Sequence, residues 1–195
     1  MEGRVQLRRG DVLVVVDVQK DFLPGGSLAV PHGDEVVPVL ARYIKLFKDK
    51  GLPIFATRDW HPPDHSSFKA QGGPWPPHCV QGSEGAEFAP GLGLPEDAVI
   101  ISKATDPGKE AYSGFQGTDL DERLRKVGAR RLFVGGLATD YCVLSTVRDA
   151  LSLGYEVYLL EDGVRAVDLN PGDGERAIEE MVRLGAKTVS FEEIS

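Results

Sequence analysis

"DVLVVVD", residues 11–17, is the stretch that decides the fold. Five consecutive branched apolar residues stand between two aspartates. A half-exposed strand alternates apolar with polar. An unbroken run this short reads as a strand covered on both faces. Such a strand belongs in a parallel sheet, because helical crossovers are what cover both sides of one.

The flanking sequence repeats the pattern. Residues 35–51, "EVVPVLARYIKLFKDKG", space Val36, Val39, Leu40, Tyr43, Ile44 and Phe47 along one helical face and stop at Gly51, a favoured helix terminator. Further strands are expected at 52–59, 97–103, 131–136, 155–162 and 187–190. Helices are expected at 118–128, 139–154 and 172–185, with Thr139 or Asp140 capping the second of these. Strands alternating with helices give βαβ units, so the expected class is α/β with a mainly parallel sheet of about six strands. Residues 60–96 break the pattern. They are rich in Pro and Gly and carry Trp60, His61, His65, Trp75 and His78. A loop that long in a compact domain is usually functional or disordered, and this composition favours function. The whole chain, 1–195, is read as one domain with this loop as an insertion.

Composition narrows the function. A net charge of -8 argues against nucleic acid or an anionic membrane as partner. No apolar run approaches the ~18 residues of a membrane span. The first ten residues lack the apolar stretch of a signal peptide, so a cytoplasmic location is expected. The two cysteines, Cys79 and Cys142, then carry no structural disulfide. A small-molecule substrate is the expected partner, and a homo-oligomer is compatible with this reading.

Ligands of open parallel sheets bind outside the carboxyl ends of the strands. Asp17 follows the first strand, Asp59 and His61 the second, Lys103 ends the third, and Cys142 lies in the first turn after the fourth. Each has a bland alternative: a turn-capping Asp, a solvated Lys, an inert core Cys. Four such coincidences on one rim weaken the bland readings together. Near a helix N-terminus, free N–H groups favour a thiolate, and a lysine beside it helps. A carboxylate serves as general base, and the N–H groups of Ala138 and Cys142 suit an oxyanion hole. Asp59, His61 and His78 together suit a divalent metal: Zn²⁺ first, with Fe²⁺ or Mn²⁺ as alternatives. His65 is read as capping its turn with Asp64, Cys79 as packing, and Asp162 as fixing the turn "EDGVRAVD". The phosphate-binding glycine motifs are absent, so no nucleotide cofactor is implied.

Five blocks carry a resemblance: "DVQKDFLPGGSL" (17–28), "RDWHPPDHSSF" (58–68), "WPPHCVQGSEGAEF" (75–88), "SK" with "AYSGFQGTDL" (102–120) and "GLATDYCVLST" (136–146). In order and nearly end to end, they resemble the nicotinamidases, amidases of the isochorismatase-like cysteine hydrolase family. The resemblance implies a three-layer α/β/α sandwich of Rossmann-like topology. It implies a catalytic triad of Asp17, Lys103 and Cys142, and a divalent metal on Asp59, His61 and His78, with His65 the candidate for a further ligand. It implies an aromatic clamp of Phe22 and Trp75 with Tyr112 nearby, and a cis peptide between Leu137 and Ala138. The implied reaction is hydrolysis of nicotinamide, and of the near-isosteric pyrazinamide, through a cysteine thioester, in NAD salvage. Competing readings are a hydrolase of carbamoyl or ureido compounds, a metal-hydroxide hydrolase with Cys142 a bystander, and a non-enzymatic thiol sensor.

Overall fold

The computed structural model of the protein describes residues 4–195. Six strands, β1 (Asp11–Val16), β2 (Ile54–Asp59), β3 (Val99–Lys103), β4 (Arg131–Leu137), β5 (Glu156–Arg165) and β6 (Lys187–Val189), form one sheet in the order β3-β2-β1-β4-β5-β6. Every pairing is parallel. Four α-helices flank it: α1 (Val36–Asp49), α2 (Leu120–Lys126), α3 (Leu144–Ser152) and α4 (Asp173–Arg183).

Strand β1 shows why its run is apolar throughout. Leu13 and Val15 pack into one core with Leu40, Tyr43, Ile44 and Phe47 of α1. Val12, Val14 and Val16 face the other core, with Leu120 and Leu124 of α2, Val147 and Ala150 of α3, and Met181 of α4. All six residues of the strand are buried, so each alternate side chain has its own layer to fill. The three-layer α/β/α sandwich is therefore observed.

The expected helices appear with their ends trimmed by one or two residues. Two differences are more than fraying. Strand β5 runs on to Arg165, with a register shift against β4 between Val134 and Gly136, so Asp162 lies inside a strand and not in a turn. Its role is still structural: one oxygen accepts the Tyr43 hydroxyl at 2.7 Å and the other the Phe191 N–H at 3.0 Å. The segment 139–143 is a π-helical turn leading into α3, and neither Thr139 nor Asp140 caps it. The Asp140 carboxylate instead accepts the N–H groups of Val167 and Asp168, both at 2.9 Å.

The β2–β3 crossover has no α-helix. Cys79, Ala86, Ala89 and Leu92 of this long connection join the core on the α1 side. The loop thus covers the sheet where a crossover helix ordinarily would. No helix among the described residues is long and apolar enough to cross a membrane.

Candidate active site and metal centre

The strand order reverses between β1 and β4, and the crevice opens at that switch point. Asp17 follows β1 at the crevice floor. Cys142 comes from the π-helical turn after β4. Lys103 ends β3, two strands from β1, a separation of about 10 Å. Its long side chain closes that gap. The Lys103 Nζ lies 2.5 Å from Asp59 Oδ1, 3.1 Å from the Ala111 carbonyl and 3.4 Å from Cys142 Sγ. It also lies 2.9 Å from Asp17 Oδ2, and both of those side chains are fully buried.

An ammonium has three hydrogens. Asp59, Ala111 and Cys142 take them. Asp17 Oδ2 is an ion-pair neighbour of Lys103, placed off the lines of the three hydrogen bonds that the ammonium makes. Its other oxygen accepts the Thr57 hydroxyl at 2.7 Å. Carboxylate oxygens of Asp17 and Asp59 and the Cys142 sulfur lie within 4.8 Å of one another. The Asp17 carboxylate thus stands beside a thiol that has a proton to give.

Burial raises the Asp17 carboxyl above its usual range, against the lowering effect of Lys103. Burial works against the Lys103 charge too, yet Asp17 and Asp59 hold it well above the usual ammonium range. Burial pushes the Cys142 thiol well up, and the two carboxylates add to this against Lys103. The sequence reading expected the helix N-terminus and lysine to favour a thiolate. The two carboxylates and desolvation outweigh them, so Cys142 rests as a thiol beside its base.

Backbone strain gathers at the same strand ends. Asp17 and Ala104, just beyond β1 and β3, have φ of +50° and +53°, a region that non-glycine residues seldom enter. The Leu137–Ala138 peptide is cis.

The donor set beside the triad fits a metal. His61 Nδ1–H donates to the His78 carbonyl, and His78 Nδ1–H to the Pro76 carbonyl, each at 2.8 Å. Both rings are thereby turned to offer Nε2, as second-shell carbonyls do for ligating histidines. His61 Nε2 is buried without a hydrogen-bond partner among the described residues. An orphaned buried acceptor costs about 1–3 kcal/mol, which a cation would relieve. Burial lowers the His61 pKa to about 3, keeping the ring neutral as ligation requires. Ligand atoms of Asp59, His61 and His78 lie within 4.8 Å of one another. His65 does not join them. Its Nε2–H donates to the Lys109 carbonyl at 2.8 Å, and its Nδ1 is 2.7 Å from the Ser67 hydroxyl. Both ring nitrogens are occupied, so the histidine ties down backbone instead of offering a lone pair. It does so without Asp64, which is exposed.

Above these groups opens a narrow cavity. Cys142, Asp59 and His78 reach it from within, and its walls include Phe22, Val30, Leu137, Trp75 and Tyr112. The Trp75 indole N–H donates to the Tyr112 hydroxyl at 3.2 Å. Trp60 is not in this wall; the Arg58 guanidinium lies 3.8 Å above its ring. Three contributors escaped the sequence reading. Tyr141 lines the cavity and packs edge-on against Trp75. Thr57 holds Asp17. Gln19, fully buried, holds Asp59: its amide donates to the Asp59 carbonyl at 2.8 Å and accepts the Asp59 N–H at 2.9 Å. Tyr141 and Gln19 stand inside the matching blocks, one position from Cys142 and two from Asp17.

Known proteins resemble this chain over nearly its whole length. The model of the Isochorismatase domain matches residues 11–193. The nicotinamidase of Escherichia coli is 43% identical, over 89% of this chain and 92% of its own. A pyrazinamidase of Pyrococcus horikoshii, solved in complex with zinc, is 57% identical with a TM-score of 0.90, covering 93% of this chain and 99% of its own. PnC1 from L. infantum, solved with nicotinate, is 36% identical with a TM-score of 0.89, covering 98% of each chain. The chain belongs to the isochorismatase-like family, among its nicotinamidases and pyrazinamidases.

Proposed function

We propose that the protein hydrolyses nicotinamide to nicotinate and ammonia through a thioester on Cys142. It is an amidase cleaving a carbon–nitrogen bond. The observation that carries the mechanism is the buried Asp17 carboxylate beside Cys142 Sγ, with the Lys103 ammonium in reach of both.

Asp17 accepts the proton of Cys142 Sγ. Lys103, 3.4 Å from the sulfur, steadies the thiolate as it forms. The sulfur attacks the amide carbon, and the backbone N–H groups of Ala138 and Cys142 take the oxyanion. Asp17 returns the proton to the amide nitrogen, the C–N bond breaks and ammonia leaves. Asp17 then removes a proton from water, whose oxygen attacks the thioester carbon. The C–S bond breaks, Asp17 hands its proton to Cys142, and the acid leaves as nicotinate, giving its remaining proton to solvent. Phe22, Trp75 and Tyr112, all in the cavity wall, suit a flat ring. When bound, a divalent cation on Asp59, His61 and His78, zinc first, supplies a Lewis-acid anchor for the pyridine nitrogen. Pyrazinamide keeps a ring nitrogen in that position and is the expected second substrate. The product, a pyridine carboxylate, suits salvage toward NAD.

The test is ammonia release from nicotinamide by the metal-replete protein and by Cys142→Ala. The parent should turn over, and the variant should fold yet lose ~10³-fold or more. Near-normal turnover by the variant would remove Cys142 from the mechanism. No turnover of nicotinamide by folded, zinc-loaded parent would move the substrate to a carbamoyl or ureido compound.

A further inference from the structure

Glu110 has no part in the reaction above, yet it lines the same cavity. A carboxylate oxygen of Glu110 lies within 4.8 Å of ring nitrogens of His61 and His65. His65 is saturated by Lys109 and Ser67, and His61 turns its free Nε2 toward Asp59 and His78, so Glu110 is the member of that trio with acceptor capacity outside that set. One of its oxygens takes the Ala111 N–H at 3.0 Å, and a carboxylate accepts several donors.

The backbone around it is held unusually firmly for an irregular segment. Three successive carbonyls are gripped by side chains from three different places. Lys109 O accepts from His65 at 2.8 Å, Glu110 O from Gln116 at 3.2 Å, and Ala111 O from Lys103 at 3.1 Å. A fully buried histidine and the buried active-site lysine are both spent on the two residues flanking Glu110. Such clamping fixes where the Glu110 side chain starts.

On the reading that Asp59, His61 and His78 hold a divalent cation, we infer that Glu110 is a positioning residue of that centre. Its carboxylate accepts hydrogen bonds from water held on the open side of the ion, and His65 serves the site by fixing the Glu110 backbone. An outer place follows from the grouping. The Glu110 oxygen clusters with His61, but does not share a common 4.8 Å set with Asp59 and His78. Outer partners of this kind change metal affinity by about 10–100-fold when removed.

The experiment is competition for zinc against a chromogenic chelator, using the parent, His61→Ala, Glu110→Gln and Glu110→Asp. Glu110→Gln keeps the size and loses the charge, so its zinc dissociation constant should rise ~10–100-fold. Glu110→Asp should recover part of that loss, and it also serves if the glutamine variant misfolds. A dissociation constant for Glu110→Gln within twofold of the parent, beside a clearly weakened His61→Ala, would overturn the role of Glu110 alone. Equal affinities in parent and His61→Ala would overturn the ion site, and this inference with it.

Discussion

Replacing Lys103 by Met keeps the length of the side chain and removes the one cation among two buried carboxylates. Lys103 is 1% exposed, and its ammonium approaches Asp59 at 2.5 Å and Asp17 at 2.9 Å. Breaking a buried ion pair by deleting one partner costs about 3–5 kcal/mol, because a charge is left buried without compensation. In a chain of this length, that lowers the melting temperature by roughly 6–20 °C. The cost should depend on pH, and its sign follows from Asp17. Its folded pKa is already raised by burial, and Lys103 is what holds it down. Without Lys103 it rises further. A carboxyl with a raised folded pKa contributes stability below its unfolded value and loses it as pH climbs through the folded one. Lys103→Met should therefore be less harmful at pH 5 than at pH 8. Urea denaturation of chelator-treated parent and variant at both pH values measures this. A loss under about 1 kcal/mol at pH 8, the scale of an exposed pair, would refute the reasoning, as would equal losses at the two pH values.

Three further outcomes are expected. Trp75→Ala removes one wall of the cavity and the partner of Tyr112, so KM for nicotinamide should rise ~10-fold or more, a loss of at least about 1.4 kcal/mol, with the fold intact by circular dichroism. Tyr43→Phe deletes the 2.7 Å hydrogen bond to Asp162 and should cost about 1–2 kcal/mol at pH 7. Burial and Asp162 raise the Tyr43 pKa, so that stabilisation is present below pH ~10 and fades above it; denaturation at pH 7 and 11 should show the two proteins converging. Gly136 has φ +129°, and a Cβ there would meet the Val16 carbonyl oxygen at 2.1 Å, so Gly136→Ala should destabilise by more than about 2 kcal/mol in a thermal melt.

Much of this molecule is legible in its sequence because its core strands are buried on both faces. An apolar run such as 12–16 leaves little choice of sheet type, and the residue ending each strand then falls on one rim. That reasoning finds Asp17, Asp59, Lys103 and Cys142 without knowing the strand order. It does not find Gln19 or Thr57, because both act through hydrogen bonds to residues distant in sequence, about forty positions away. The resting state of Cys142 was also out of reach. Proximity to a lysine is readable from the strand ends, but the balance of burial against two carboxylates requires the distances. His65 is hard to read for a related reason. Its loop suits both a turn cap and a further ligand, until the Lys109 carbonyl is seen to occupy its outer nitrogen.

The β2–β3 crossover, which has no α-helix, has a consequence for mechanical integrity. His61 and His78 stand 17 residues apart on it, with Trp75 between them, and both cysteines of the chain are free. A cation gripping both histidines and Asp59 acts as a staple. It restrains the unfolded chain as a covalent cross-link over a similar span does, for which chain-entropy reasoning gives about 3 kcal/mol. Cofactor and clasp are then one object. Withdrawing the ion should slacken residues 62–77 first, and a protease should find its earliest cut there while the six-stranded sheet still stands.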